Sequence, residues 1–213
     1  MSIVSFWNSV NLYENKHPID IAVLKELESI LSLDFNFDFP PGPYFGPITT
    51  AKVILCYANP SDDIASRFTI KNSEHIETLK SQLGGRQDYP YQLDGWANWF
   101  KSRANTLFNG NIELASKNIA VLNLIPYASP DMTKVGKIAN CLPSAWQSQK
   151  YLRETLIPKA ENGEILLIMC RAASLWGLRT SVGSKNILIN STRSGFSSDI
   201  KLVAESWIKR NIF

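Results

Sequence analysis

Val53-Ile54-Leu55-Cys56-Tyr57-Ala58-Asn59-Pro60-Ser61-Asp62-Asp63 decides how this chain is read. A run of apolar and aromatic residues stops at an Asn-Pro turn, and two acids follow. The run suits a central parallel strand, which is buried on both faces and needs no alternation. Proline lacks the N–H that the ladder requires, so the strand ends by Pro60. Asn59 then stands where the strand leaves the sheet, and ligands of open α/β sheets bind at such carboxyl ends. An ordinary βα turn would use the same Asn, Pro, Ser and Asp.

Working outward, three more runs repeat the design. Asn118-Ile119-Ala120-Val121-Leu122-Asn123-Leu124-Ile125-Pro126 places an Asn near its end and a Pro beyond it. Glu164-Ile165-Leu166-Leu167-Ile168-Met169-Cys170 leads into Arg171. Asn186-Ile187-Leu188-Ile189-Asn190 opens into Ser191-Thr192-Arg193-Ser194-Gly195-Phe196-Ser197. Parallel strands would gather these polar residues along one edge of the sheet.

Between the runs lie helical patterns. Val23, Leu24, Leu27, Ile30 and Leu31 follow helix spacing within 19–33. Further helices are expected at 72–83, 94–108, 143–157 and 199–211, with a short one near 172–178. Trp96 and Trp99 on the 94–108 helix are expected to pack in the core. Asp38 to Pro47 holds four prolines and two glycines and is read as an extended loop. Strands alternating with helices give an α/β fold, a three-layer sandwich with a mainly parallel central sheet in one domain spanning 1–213.

Composition narrows the chemistry. The chain has 213 residues, 45% of them hydrophobic, which is enough for one substantial core. No stretch approaches the roughly 20 apolar residues of a membrane span. The N-terminus has no basic region ahead of its apolar residues, and three cysteines form no paired framework. Both suit a cytoplasmic protein. Only His17 and His75 are present, so a multi-histidine metal site cannot form and no cofactor is expected. Gly-x-Gly-x-x-Gly, the phosphate-loop Gly-Lys-Ser/Thr and the Gly-x-Ser-x-Gly elbow do not occur. From Arg171 to Phe213, seven basic residues face only Asp199 and Glu205. Such a segment can face phosphate, or can simply be a solvated surface.

Together, the strand-end motifs resemble those of the uracil-DNA glycosylase superfamily, over roughly residues 40–213. Tyr57-Ala58-Asn59-Pro60-Ser61 is similar to the Gly-x-Asn-Pro-Gly motif of its mismatch-specific and single-strand-selective branches. Asn123 resembles the Asn that reads a flipped pyrimidine, and Asn190 to Ser197 resembles the last motif loop. The resemblance implies a monomeric, monofunctional DNA glycosylase that flips a uracil or modified pyrimidine from DNA and excises it. It implies catalytic roles for Asn59 and Asn190, with Asp62 or Asp63 as alternative water-activating carboxylates. It further implies base contacts from Tyr57, Ser61, Phe68 and Asn123, and DNA contacts from Ser191, Thr192, Arg193 and Ser194. Some members act against phages with modified DNA. Ser61 stands where uracil-selective members carry a Tyr that blocks the base 5-position, so room for a 5-substituent is expected. Tyr57 replaces the motif Gly, Ser191 replaces the usual Pro, and the last motif has no His. These departures keep open a catalytically inactive nucleic-acid-binding relative, or a hydrolase of free nucleotides or nucleosides.

Overall fold

The computed structural model describes residues 2–9, 11–132, 135–178, 184–192 and 195–213. Five strands form one mixed, mainly parallel sheet: β1 (Tyr44–Phe45), β2 (Val53–Tyr57), β3 (Ile119–Asn123), β4 (Leu166–Cys170) and β5 (Ile187–Asn190). Their order is β1-β3-β2-β4-β5, and only β1 runs antiparallel to its neighbour. The four apolar runs are thus four parallel strands. The loop expected before the first of them contains one unforeseen edge strand, whose two residues pair with Leu122 and Val121. Between Pro43 and Gly46, Tyr44 and Phe45 supply the free N–H groups and side chains of a strand. Gly46 closes it at φ +87°, where a Cβ would meet the Ile119 carbonyl oxygen at 2.5 Å.

Alternate residues of each strand feed two cores, as a pleated sheet dictates. Ile54, Cys56, Ala120, Leu122, Leu167 and Met169 pack against α1 (Ile3–Asn8), α2 (Ile21–Ile30) and α8 (Pro143–Tyr151). Val53, Leu55, Ile119, Val121, Leu166 and Ile168 pack against α5 (Asp94–Leu107), α6 (Ile112–Asn118) and α10 (Ser198–Asn211). Shorter helices complete the chain: α3 (Ile64–Thr69), α4 (Ser73–Ser81), α7 (Val135–Ile138) and α9 (Ile157–Glu161). A π turn, Leu152–Leu156, joins α8 to α9. Pro158 causes it by withholding the N–H that Glu154 would accept. The short helix expected near 172–178 is instead a series of turns closed by Gly177 at φ +71°. Among the described residues, no helix is long and apolar enough to cross a membrane.

His17 locks the N-terminal segment onto the first core. It is 4% exposed and stacks on Phe6 at 4.2 Å. Its Nδ1 accepts from the Ile19 N–H at 3.2 Å, and its Nε2 lies 3.3 Å from the Phe6 carbonyl. A carbonyl only accepts, so the ring is neutral with its proton on Nε2. Burial lowers its pKa below the ordinary 6.5. The unfolded chain therefore takes up a proton near pH ~6.5, the folded chain only below that. Stability from this group is complete above that value and is lost as pH falls from there through the folded pKa. His17→Gln is expected to flatten the fall in melting temperature on acidification below neutrality. An unchanged slope would assign the acid sensitivity to other groups.

Candidate active site

The parallel strands end side by side at Tyr57, Asn123, Cys170 and Asn190. Tyr57 pairs with Asn123, and Cys170 pairs with Asn190. The chain passes from β2 outward to β3 and then crosses to β4 on the other side of β2. This reversal opens a crevice beyond the carboxyl ends of β2 and β4, the usual place for a ligand in such sheets. Trp176, packed in the first core, fixes the end of β2 by donating Nε1–H to the Tyr57 carbonyl at 3.1 Å.

Two cavities occupy the crevice. One, of about 270 Å³, is lined by Asn59, Ser61, Asn123 and the rings of Phe45, Tyr89 and Trp96, among others. The other, of about 310 Å³, is lined by Ser102, Arg103, Cys170, Asn190, Thr192 and Gly195, among others. Tyr57, Trp99 and Arg171 line both.

Asn59 is held in one orientation. Its Nδ2 donates to the Pro60 carbonyl at 2.9 Å, the Tyr127 carbonyl at 3.3 Å and Ser129 Oγ at 2.8 Å. Ser129 spends its own hydroxyl proton on the Asp131 carbonyl at 2.7 Å, so its oxygen must accept from Asn59. The amide nitrogen is therefore anchored to the loop after β3, and the carbonyl oxygen is the end left for a ligand or a water. Asn123 is 2% exposed and donates Nδ2–H to the Gly42 carbonyl at 2.7 Å, while its backbone N–H donates to the Pro43 carbonyl. The proline-rich loop thus zips onto the end of β3 and carries Phe45 into the first cavity.

The aromatic wall comes from α5 and the loop before it. Trp96 and Trp99 pack in the second core as expected and also line the first cavity. Tyr89 stacks on Phe100 at 4.1 Å, and Trp99 meets the edge of Tyr57 at 5.6 Å. Burial holds the Tyr57 and Tyr89 hydroxyls well above the usual tyrosine range, so both are neutral donors. Gly95 lets α5 approach α3 closely: a Cβ there would lie 2.6 Å from Ser66 Cα. Ser66 and Gly95 both border the cavity, so this close approach shapes its wall.

Not every residue singled out in the sequence reaches the crevice. Phe68 is 65% exposed on the outer face of α3, with the Lys71 ammonium 4.5 Å from its ring. Ser66 and Thr69 are the buried residues of that helix, and the 100° turn per residue carries Phe68 away from the site. Asp62 does not line the cavity either. Its buried carboxylate takes Arg67 Nε at 2.6 Å and Nη2 at 2.9 Å, with Asn36 Nδ2 at 3.3 Å. It secures the turn and has no free edge for activating water. Asp63 lines the cavity but caps α3 through the Ser66 N–H.

Asn190 organises the last loop. Its Nδ2 donates to the Gly195 carbonyl, and its Oδ1 accepts from the Thr192 hydroxyl and the Ser197 N–H, all near 3.0 Å. Thr192 lines the second cavity, and Ser191 is exposed. Arg193 and Ser194 lie outside the described residues.

Two cationic residues of the site were not among the expected ones. Arg171 follows β4 directly, at a strand end like the one that marked Asn59. Arg103 lies four residues after Trp99 on α5, the helical spacing of side-chain neighbours. Compared with family models, with curated proteins and with solved structures, the chain finds no match. What identifies the site is therefore its own geometry: two strand-end amides and an aromatic wall in one cavity of an α/β protein.

Proposed function

We propose that the protein hydrolyses the N-glycosidic bond of a uracil or modified pyrimidine nucleotide flipped out of DNA. The observation that carries this reading is the meeting of Asn59, Asn123 and the aromatic wall in one cavity at the strand ends. A flipped base needs a ring face to stack on and a polar edge to pair with. Tyr89, Trp96 and Phe45 offer ring faces or edges, and Asn123 offers an amide edge. Breaking the bond gives an oxocarbenium-like sugar and an anionic base. Asn59 is a poor base, but its fixed carbonyl oxygen can orient a water toward the sugar. Amide and backbone N–H donors can stabilise the departing base. Helices on both faces of a mainly parallel sheet agree with the three-layer fold of the uracil-DNA glycosylases, which the motif order resembles.

Incubation with a panel of oligonucleotides, followed by alkali, tests the reading. Strand cleavage at uracil or at a 5-substituted cytosine supports it. Cleavage at none of the pyrimidines rejects it. Ser61 sets the range of bases, because it is small, exposed and borders the base cavity. Ser61→Tyr is expected to lower base release from 5-hydroxymethylated or glucosylated pyrimidines by at least about tenfold, ~1.4 kcal/mol, while sparing uracil. Equal loss on all substrates would move the 5-position away from Ser61.

A further inference from the structure

The second cavity differs in kind from the first. Among the described residues, both charged residues that line it are arginines, and no carboxylate borders it. Neither Arg103 nor Arg171 forms an ion pair among the described residues. Two guanidinium groups brought to one crevice repel each other, and an apolar rim strengthens that repulsion. An arrangement of this kind is stabilised when an anion arrives.

The Arg103 side chain and the Arg171 backbone are held in advance. The Arg103 guanidinium lies 4.8 Å from the Trp99 ring and 5.6 Å from the Phe196 ring. Its Nε is buried with no hydrogen-bond partner among the described residues, and its Nη2 only reaches the Tyr57 hydroxyl at 3.5 Å. A planar guanidinium whose terminal nitrogens make only long contacts, at 3.5 Å to the Ser102 and Tyr57 hydroxyls, keeps those nitrogens for bidentate contact with an oxyanion. Arg171 sits at φ +55°, a left-handed conformation that an L side chain adopts at a cost of about 1–3 kcal/mol. Its N–H is fastened to the Asn190 carbonyl at 2.8 Å. Such strained residues cluster at binding sites.

We propose that Arg103 and Arg171 form a phosphate subsite, which grips the phosphate of the nucleotide whose base occupies the neighbouring cavity. The subsite rests on the reading above for the base alone; the anion is called for by the two arginines. Tyr57, Trp99 and Arg171 border both cavities, so one ligand can span them. The phosphate belongs either to a DNA phosphodiester or to a free nucleoside monophosphate.

Calorimetric titration of the full chain with deoxycytidine 5′-monophosphate, deoxycytidine and a short single-stranded oligodeoxynucleotide distinguishes these sources. Arg103→Gln removes the fork. Arg171→Gly removes the second cation and suits the left-handed backbone, so it keeps the test open if Arg103→Gln folds poorly. Lys25→Gln, exposed on α2, removes an equal charge elsewhere. Each arginine variant is expected to weaken a phosphate-bearing probe by at least about tenfold and Lys25→Gln to leave it unchanged. An effect on the monophosphate alone assigns a free nucleotide; an effect on the oligonucleotide assigns the DNA backbone. No wild-type binding to either phosphate probe, or equal binding by wild type and arginine variants, overturns the subsite. Base release from oligonucleotides is read separately. Its absence, with arginine-dependent phosphate binding intact, rejects the glycosylase reading and keeps the subsite.

Discussion

Asn59→Ala is expected to slow base release by about 10²–10³-fold, the loss of one preorganised polar group worth roughly 3–4 kcal/mol. The size follows from how firmly the amide is held. Three hydrogen bonds anchor its nitrogen, so the carbonyl oxygen needs no reorganisation when water arrives. The same three bonds make the residue structural, and the variant should also lose about 1–2 kcal/mol of stability. Single-turnover rates at a temperature where both proteins are folded separate the two effects. An unaltered rate would remove Asn59 from the chemistry and turn attention to Asp63, a carboxylate that lines the cavity. Asn59→Asp makes a sharper comparison. A carboxylate cannot donate to the Pro60 and Tyr127 carbonyls, so it should cost more stability than alanine does.

Asp20→Ala is expected to destabilise the fold by about 2–4 kcal/mol, the value of two hydrogen bonds to a charged group less the relief of burying it. Asp20 is fully buried. Its Oδ2 accepts from the Tyr127 hydroxyl at 2.6 Å and its Oδ1 from the Ser144 N–H at 3.0 Å. Ser144 is in the first turn of α8, a helix whose own N-cap, Leu142, offers no side-chain acceptor. Asp20 therefore caps α8 from another part of the chain and places a negative charge at the positive end of that helix. Asp20→Asn keeps an acceptor for one partner and should recover about half of the loss. Urea unfolding checks this: the midpoint should fall with an unchanged slope. An unfolding free energy within about 0.5 kcal/mol of wild type would mean that water replaces the carboxylate without penalty.

The sheet was largely legible because its four parallel strands are buried on both faces. Such strands are written as unbroken apolar runs, and proline or asparagine marks their ends. The edge strand Tyr44–Phe45 was not, because two residues between prolines carry no period. Helix α3 was hidden by the Ser61-Asp62-Asp63 turn and by its length of six residues. The site divides in the same way. Asn59 and Asn123 reach the cavity because a strand end fixes their place whatever the loops do. Phe68 was chosen by its nearness along the chain, but only the rotation of α3 decides where it faces. Asp62 and Asp63 look alike in sequence; Arg67, one turn further on, claims the first, and the helix N-terminus claims the second. Tyr89 belongs to the wall through its stacking on Phe100, which no local pattern announces.

Tyr57 stands between a room walled mainly by rings and amides and a cationic one, and it lines both. In evolutionary terms this makes the position pleiotropic. A substitution that suits a new base alters the anion compartment at the same time, so it must pass two selections at once. Ser61, Phe45 and Trp96 border the first room alone, and Ser102 and Arg103 the second. Drift in base preference is therefore channelled through the first set and drift in anion preference through the second, while the partition between them stays put.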